Sequence, residues 1–157
     1  MISTKGRYAL RVMIDMAQQE TDEYIPLEEI AQRQGISKKY LESILSSLVK
    51  AHLIKGVRGK GGGYKLTRST NEYPVGEILE LAEGTLALVA CTEDTCEAVC
   101  GRKEECKTLP MWITFDKIVH DFFYSITLED LMKDGGFEAV KRSQASMNPV
   151  ISEESDG

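Results

Sequence analysis

Residues 34–68, QGISKKYLESILSSLVKAHLIKGVRGKGGGYKLTR, decide how the rest of the chain is read. Gly35 offers a left-handed stop to a preceding helix, and Ser37 is a suitable N-cap for the next. Leu41, Ile44, Leu45 and Leu48 then recur at i, i+3, i+4 and i+7, the spacing of a helix with one buried face. Upstream, Pro26-Leu27-Glu28-Glu29 opens a short helix with acids at its positive end, and Ile30 and Ala31 point inward. Two short helices joined by Gln34-Gly35-Ile36-Ser37 match a helix-turn-helix. Leu53–Val57 and Tyr64–Thr67 alternate as strands around Arg58-Gly59-Lys60-Gly61-Gly62-Gly63, which predicts a hairpin wing directly after it. The glycines could also cradle a nucleotide phosphate, but they precede a strand and no Gly-Lys-Ser/Thr follows. Their expected role is a sharp turn lying close to another backbone, with that of DNA as the candidate.

Outward from this segment, a first helix is expected over about Thr4–Gln19, with Tyr8, Ala9, Val12, Met13, Met16 and Ala17 facing the core. Pro74 precedes a helix over Val75–Glu83, ended by Gly84. Leu109–Ser125 reads as the longest helix. Trp112, Phe115, Val119, Phe122 and Ile126 line one face of it, and Ile113, Ile118 and Phe123 widen the apolar surface. So much apolar surface exceeds what a small domain buries, and a second copy is the expected partner. Thr127 caps a last short helix over Leu128–Lys133, and the end of the chain reads as a disordered tail. The expected organisation is a winged helix-turn-helix domain (1–84), a cysteine loop (85–108), a dimerisation and short C-terminal helix (109–134) and the tail (135–157). The fold class is mainly α with a small β-hairpin.

The 157 residues carry a net charge of −6, which taken whole argues against a nucleic-acid partner. The distribution reverses that. Residues 1–68 hold 12 Lys/Arg against 7 Asp/Glu, a net +5, and residues 69–157 hold 7 against 18, a net −11. Residues 36–68 alone carry eight basic residues and one acid, Glu42. In a helix-turn-helix the first residues of the second helix reach base edges; here these are Ser37, Lys38, Lys39, Tyr40, Glu42 and Ser43. Lysines at a helix N-terminus oppose its dipole, and a bound phosphate would offset that cost. Glu42 can accept from cytosine N4, or serve as an i,i+4 partner of Lys38 or Lys39. Arg58, Lys60, Gly61, Gly62 and Tyr64 at the wing, with Lys5 and Arg7 on the first helix, complete the expected contacts to double-stranded DNA.

Cys91, Cys96, Cys100 and Cys106 follow the spacing C-x4-C-x3-C-x5-C in a polar segment. No apolar run approaches the ~20 residues of a membrane span, and Met1–Arg7 lacks the apolar core of a secretory signal. A cytoplasmic protein with reduced thiols is expected, which favours a metal or redox role over disulfides. Spacing leaves an iron–sulfur cluster, zinc and thiol redox chemistry open, although paired C-x2-C knuckles of structural zinc are absent. No catalytic constellation is present, and an enzyme is not expected.

Ser3-Thr4-Lys5-Gly6-Arg7-Tyr8-Ala9, Gln34-Gly35-Ile36-Ser37, Tyr40-Leu41-Glu42, Val57-Arg58-Gly59 and Gly61-Gly62-Gly63-Tyr64 resemble the winged-helix transcription regulators that include IscR, NsrR and CymR. The resemblance covers about residues 1–133. It implies a homodimeric regulator, a repressor, whose cluster state controls which operators are bound. It implies Cys91, Cys100 and Cys106 as ligands of a [2Fe-2S] or [4Fe-4S] cluster, and places Glu42 and Arg58 at DNA. Leu109 stands where IscR-like proteins place a histidine ligand, and Tyr8 where NsrR-like proteins place an acidic one. Cys96 is therefore the candidate fourth ligand, beside a nearby carboxylate, a partner-subunit group or an open site. The alternatives are a regulator of the same fold that senses by thiol oxidation or a small metabolite, and a zinc-bearing adaptor that binds protein.

Overall fold

The computed structural model describes residues 2–92 and 101–152, apart from the side chains at 134 and from 147 onward. Helix α1 spans Thr4–Gln18, and the Ser3 hydroxyl accepts from the Lys5 amide at its start. Ala9, Val12 and Met13 are fully buried, while Tyr8 sits half-buried at the edge of the stripe. Helix α2, Leu27–Gln34, follows Pro26 and ends at Gly35, which takes the left-handed conformation with φ 63°. Ser37 then caps α3, Lys38–Lys50, by accepting from the Tyr40 amide at 3.3 Å. Leu41, Ile44, Leu45 and Leu48 are each at most 1% exposed. Burying a side chain of this size contributes about 1.5–3 kcal/mol, so the helix-turn-helix is held by its apolar face.

Strands β1 (Ile54–Val57) and β2 (Gly63–Leu66) form one antiparallel hairpin with Ile54 opposite Leu66 and Val57 opposite Gly63. Its inner end is tied into the core by Tyr73, a fully buried tyrosine. The Tyr73 hydroxyl accepts from the Thr67 and Arg68 amides at 2.8 and 2.9 Å and donates to the Leu53 carbonyl at 2.8 Å. The other side of β2 pairs with Ile25, whose amide and carbonyl each bond Tyr64 at 2.9 Å. At Gly63 a Cβ would stand 2.2 Å from the Ile25 carbonyl oxygen, and at Gly62 it would stand 2.3 Å from that of Val57. The close approach that these glycines permit is thus to the protein's own backbone. Gly59 and Gly61 serve differently, holding φ of 99° and 77° in open space at the wing tip.

Helix α4, Val75–Glu83, packs on α1 and ends at Gly84. Glu83 reaches the start of α1, where one carboxylate oxygen accepts from the Ser3 amide, the Ser3 hydroxyl and the Gly6 amide at 2.8, 2.8 and 3.0 Å. Helix α5, Leu109–Tyr124, crosses α4 where Gly76 makes room for the Tyr124 ring, which a Cβ would meet at 2.2 Å. Helix α6, Leu128–Asp134, starts at a Thr127–Asp130 capping box and buries Leu128 in the main core.

The expected tail at 135–157 is corrected over most of its length, because Phe137–Ser152 forms a helix, α7. Gly135 and Gly136, at φ 68° and 79°, turn the chain back so that Ala139 and Ser143 bury a short stripe. Val140 packs beside them in a cluster with Val75, Leu79 and Ile126. Three small positions about one turn apart make too weak a pattern to distinguish from a polar tail. The α5 helix equals α7 in length at 16 residues, so it is not the longest alone.

Candidate nucleic-acid interface and cysteine loop

The residues singled out at the start of α3 come to the surface together. Ser37, Lys38, Lys39, Glu42 and Ser43 are exposed and Tyr40 is half-buried. Lys38 is engaged by Glu28 of α2, with Nζ 2.8 Å from Oε1. Burial of Glu28 is negligible, and its carboxyl lies below the usual range because Lys38 hydrogen-bonds it. Glu42 makes no ion pair among the described residues, so its reading as a helical partner of Lys38 or Lys39 does not hold. It instead borders the groove between α3 and the wing, with Lys50, Val57, Arg58 and Tyr64. Arg58 and Lys60 are exposed at the hairpin tip.

Not all of the basic stretch faces outward. Arg68 forms a two-pronged pair with Glu77 of α4 at 2.8 and 2.9 Å and donates to the Glu72 carbonyl at 3.1 Å. Its guanidinium is raised above its ordinary value chiefly by that carboxylate, against the opposing effect of burial. Lys65 turns back to the Asp22 carbonyl at 3.2 Å and over the Tyr24 ring. The side chains of Lys39, Lys50, Lys55, Arg58 and Lys60 make no hydrogen bond or ion pair among the described residues. All five are exposed, and Lys50 and Arg58 line the same groove between α3 and the wing. Lys5 donates to the Ser47 hydroxyl on α3 at 3.4 Å, and exposed Arg7 donates to Thr4.

The seating of α2 against α1 rests on residues the sequence reading passed over. Asp15, 4% exposed, accepts from Arg33 Nε and a terminal guanidinium nitrogen at 2.9 and 2.8 Å and from Gln34 Nε2 at 2.9 Å. Arg11 adds bonds to the Gln34 side chain and carbonyl at 3.1 and 3.0 Å. The signal was present: an aspartate among Val12, Met13 and Met16 on a buried face requires a cationic partner.

Of the four cysteines, Cys91 and Cys106 belong to the described residues, and Cys96 and Cys100 lie outside them. Cys91 sits in a short 3-10 turn, Ala90–Thr92, and Cys106 stands just before α5. Both are half-buried free thiols. The Cys106 sulfur lies 3.4 Å from the Thr108 hydroxyl, which with the Thr108 and Leu109 amides draws the thiol below its ordinary value despite the contrary effect of burial. A partly exposed thiol biased toward thiolate is the donor that iron–sulfur ligation or thiol redox chemistry requires. Among the described residues no three His, Cys, Asp or Glu side chains converge for a metal ion. His120 is distant in sequence, yet it lines the cleft that Thr92 and Asp116 share. His52 lies on the turn between α3 and β1.

A helix-turn-helix, a hairpin wing beside its second helix and unpaired basic side chains on both define a winged-helix DNA-binding protein. The chain matches the Rrf2 family, described as iron-dependent transcriptional regulators, over residues 2–134. The transcriptional regulator IscR of Photobacterium profundum is 35% identical over 143 residues, covering 91% of this chain and 81% of that protein. The solved structure of T. potens IscR superposes with a TM-score of 0.66 at 36% identity, covering 85% and 87% of the two chains. That of CymR, the global cysteine regulator of B. subtilis, gives 0.65 at 36% identity, covering 84% and 95%.

The chain thus belongs to the Rrf2 family and is a DNA-binding transcriptional regulator, not an enzyme. Among the described residues, no helix is long and apolar enough to cross a membrane.

Proposed function

We propose that the protein is a homodimeric, cytoplasmic repressor that senses iron–sulfur cluster status, or redox or nitrosative stress, through a cysteine-ligated cluster. Its operator contacts come from Ser37, Lys38, Lys39, Tyr40, Glu42 and Ser43 on α3 and from Arg58, Lys60, Gly61, Gly62 and Tyr64 on the wing. Lys5 and Arg7 add phosphate contacts from α1. Cys91, Cys100 and Cys106 hold the cluster, with Cys96 as the candidate fourth ligand. Division at 84, 108 and 134 assigns reading, sensing and dimerisation to successive parts of the chain.

The observation that carries the sensing reading is the placement of Cys91 and Cys106 at either side of the loop, both against α5, with Cys106 biased toward thiolate. When bound, such a cluster supplies iron that responds to oxidants and diatomic ligands. The chain's own thiolates do the rest, tying the two sides of the loop together while the group is present. Support for the homodimer comes from α5, on which Met111, Ile113 and Phe115 are 55%, 51% and 45% exposed and no residue is buried. A second copy laid against this helix makes an isologous interface.

The deciding experiment is anaerobic purification followed by a visible spectrum and an iron and sulfide assay. A brown protein with matched iron and sulfide is expected, and a colourless, iron-free protein overturns the cluster reading. The lowered Cys106 thiol also favours a second reading, sensing by thiol oxidation. In that case the iron-free protein gains and loses operator affinity with oxidant and reductant.

A further inference from the structure

Asp116 is placed on the second turn of α5, and it spends both carboxylate oxygens on the chain that leads into the cysteine loop. Its Oδ1 accepts from the Leu88 amide at 3.1 Å, and its Oδ2 accepts from the Thr92 hydroxyl. The Val89 carbonyl oxygen, which accepts from the Thr92 amide at 3.1 Å, also lies 2.8 Å from the Thr92 hydroxyl, so it shares that one proton with Asp116. These bonds draw residues 88–92 into a tight turn against α5, with Cys91 inside it. Asp116 forms no ion pair among the described residues, although Lys117 and His120 line the same cleft. A surface aspartate on a helix ordinarily faces water or a neighbouring lysine. This one is committed instead to a backbone amide and a hydroxyl that flank a thiol.

The geometry points to Asp116 and Thr92 as positioning residues that staple the Cys91 side of the loop to α5. Cys106 is already referred to the same helix, since its carbonyl accepts from the Leu109 amide at 3.2 Å. Both thiols are then held in one rigid frame before any ligand arrives. Ordering the donors beforehand lowers the conformational entropy that closing the loop on a ligand would otherwise cost. Without the staple, Cys91 moves with the exposed chain around it, while Cys106 stays where α5 puts it.

The inference rests on the reading of Cys91 as a sensing thiol, and its test uses the reduced, metal-free full-length protein so that the two can fail separately. Alkylation by iodoacetamide is followed cysteine by cysteine by peptide mass spectrometry in the parent, Asp116→Ala, Thr92→Val and Thr92→Ser. Retained binding to duplex DNA at low salt reports that each variant is folded. A several-fold faster reaction at Cys91 in Asp116→Ala and Thr92→Val is expected. Cys106 should be unchanged, and Thr92→Ser should return to the parent rate because it keeps the hydroxyl. Equal Cys91 rates in all four proteins overturn the staple. So does acceleration at Cys91 and Cys106 alike, or a Thr92→Ser protein that behaves as Thr92→Val. These outcomes are read on thiols alone and stand whether or not the anaerobic protein contains iron.

Discussion

The helix-turn-helix and α5 are both apolar helical segments, yet they stand at opposite extremes of burial. In α3 the apolar positions of the inner face are at most 1% exposed, whereas α5 buries no residue and leaves three large hydrophobic side chains about half in water. One region closes its own surface through α1, α2, α4 and the hairpin. Among the described residues, the other meets α4, part of α7 and the turn at Ala90–Thr92, and Phe122 and Phe123 at its end join a small cluster with Val75, Leu79 and Ile126. Stability of the DNA-reading half is therefore an internal property of one chain, and stability of α5 is tied to what covers it. Solvent-facing hydrophobic side chains contribute nothing to folding until they are removed from water.

The sharpest test of that contrast pairs Leu45→Ala with Phe115→Ala. Leu45→Ala leaves a cavity in the core and should cost about 2–5 kcal/mol, a large fraction of a domain's stability. Urea melts followed by circular dichroism should show it. Phe115→Ala should scarcely change the melt of a dilute sample but should shift sedimentation toward the monomer. Equal destabilisation by both would mean that α5 is part of the core after all.

Next in size is Tyr73→Phe, which removes the hydroxyl shared by the half-buried Thr67 and Arg68 amides and the buried Leu53 carbonyl. A loss of about 1–3 kcal/mol is expected, accompanied by faster amide exchange at Thr67 and Arg68. Arg58→Ala should leave stability untouched while weakening operator binding and lowering the slope of log affinity against log salt by about 1. An unchanged slope removes Arg58 from the interface. Glu42→Ala should relax sequence preference with little change in non-specific affinity, as read by competition with mismatched duplexes.

The smallest effect expected is a pH dependence. Burial raises the Glu83 carboxyl, but hydrogen bonds from Ser3 and Gly6 outweigh it and leave the group below its usual value. A carboxyl lowered by folding stabilises the protein at pH above its unfolded value, and that contribution fades as pH falls through the folded one. Glu83→Gln should flatten the acid limb of stability as pH falls below the ordinary glutamate range, as monitored by thermal melts. An acid limb identical to the parent's would show that the α1–α4 tie carries no proton linkage.

Much of the DNA-reading half was legible because its signals are short-range. Ser37, Gly35 and the i, i+3, i+4 apolar residues state a cap, a stop and a buried face within a few residues of one another. The hairpin was legible from alternation and glycines, although the reason for Gly62 and Gly63 was not. Their backbones approach Val57 and Ile25 within the protein, a contact that strand pairing alone creates. The charge pattern pointed to the basic face but overstated it, since Arg68 and Lys38 are engaged by Glu77 and Glu28. The α7 helix was missed because its buried stripe consists of small side chains.

The sequence by itself determined the order of the helices and strands up to α6, most of their caps, the basic segment and the presence of four thiols. Each of these follows from local backbone preference, side-chain periodicity or composition, which act between near neighbours. Only the tertiary structure decided which charges face solvent, what ties the wing to the core, and where Cys91 stands relative to α5. Those outcomes depend on partners remote along the chain, such as Glu83 with Ser3, 80 residues apart, and Asp116 with Thr92, 24 apart. A carboxylate in isolation carries no mark of the amide it will meet. Packing of the helices brings the two together and so assigns its role.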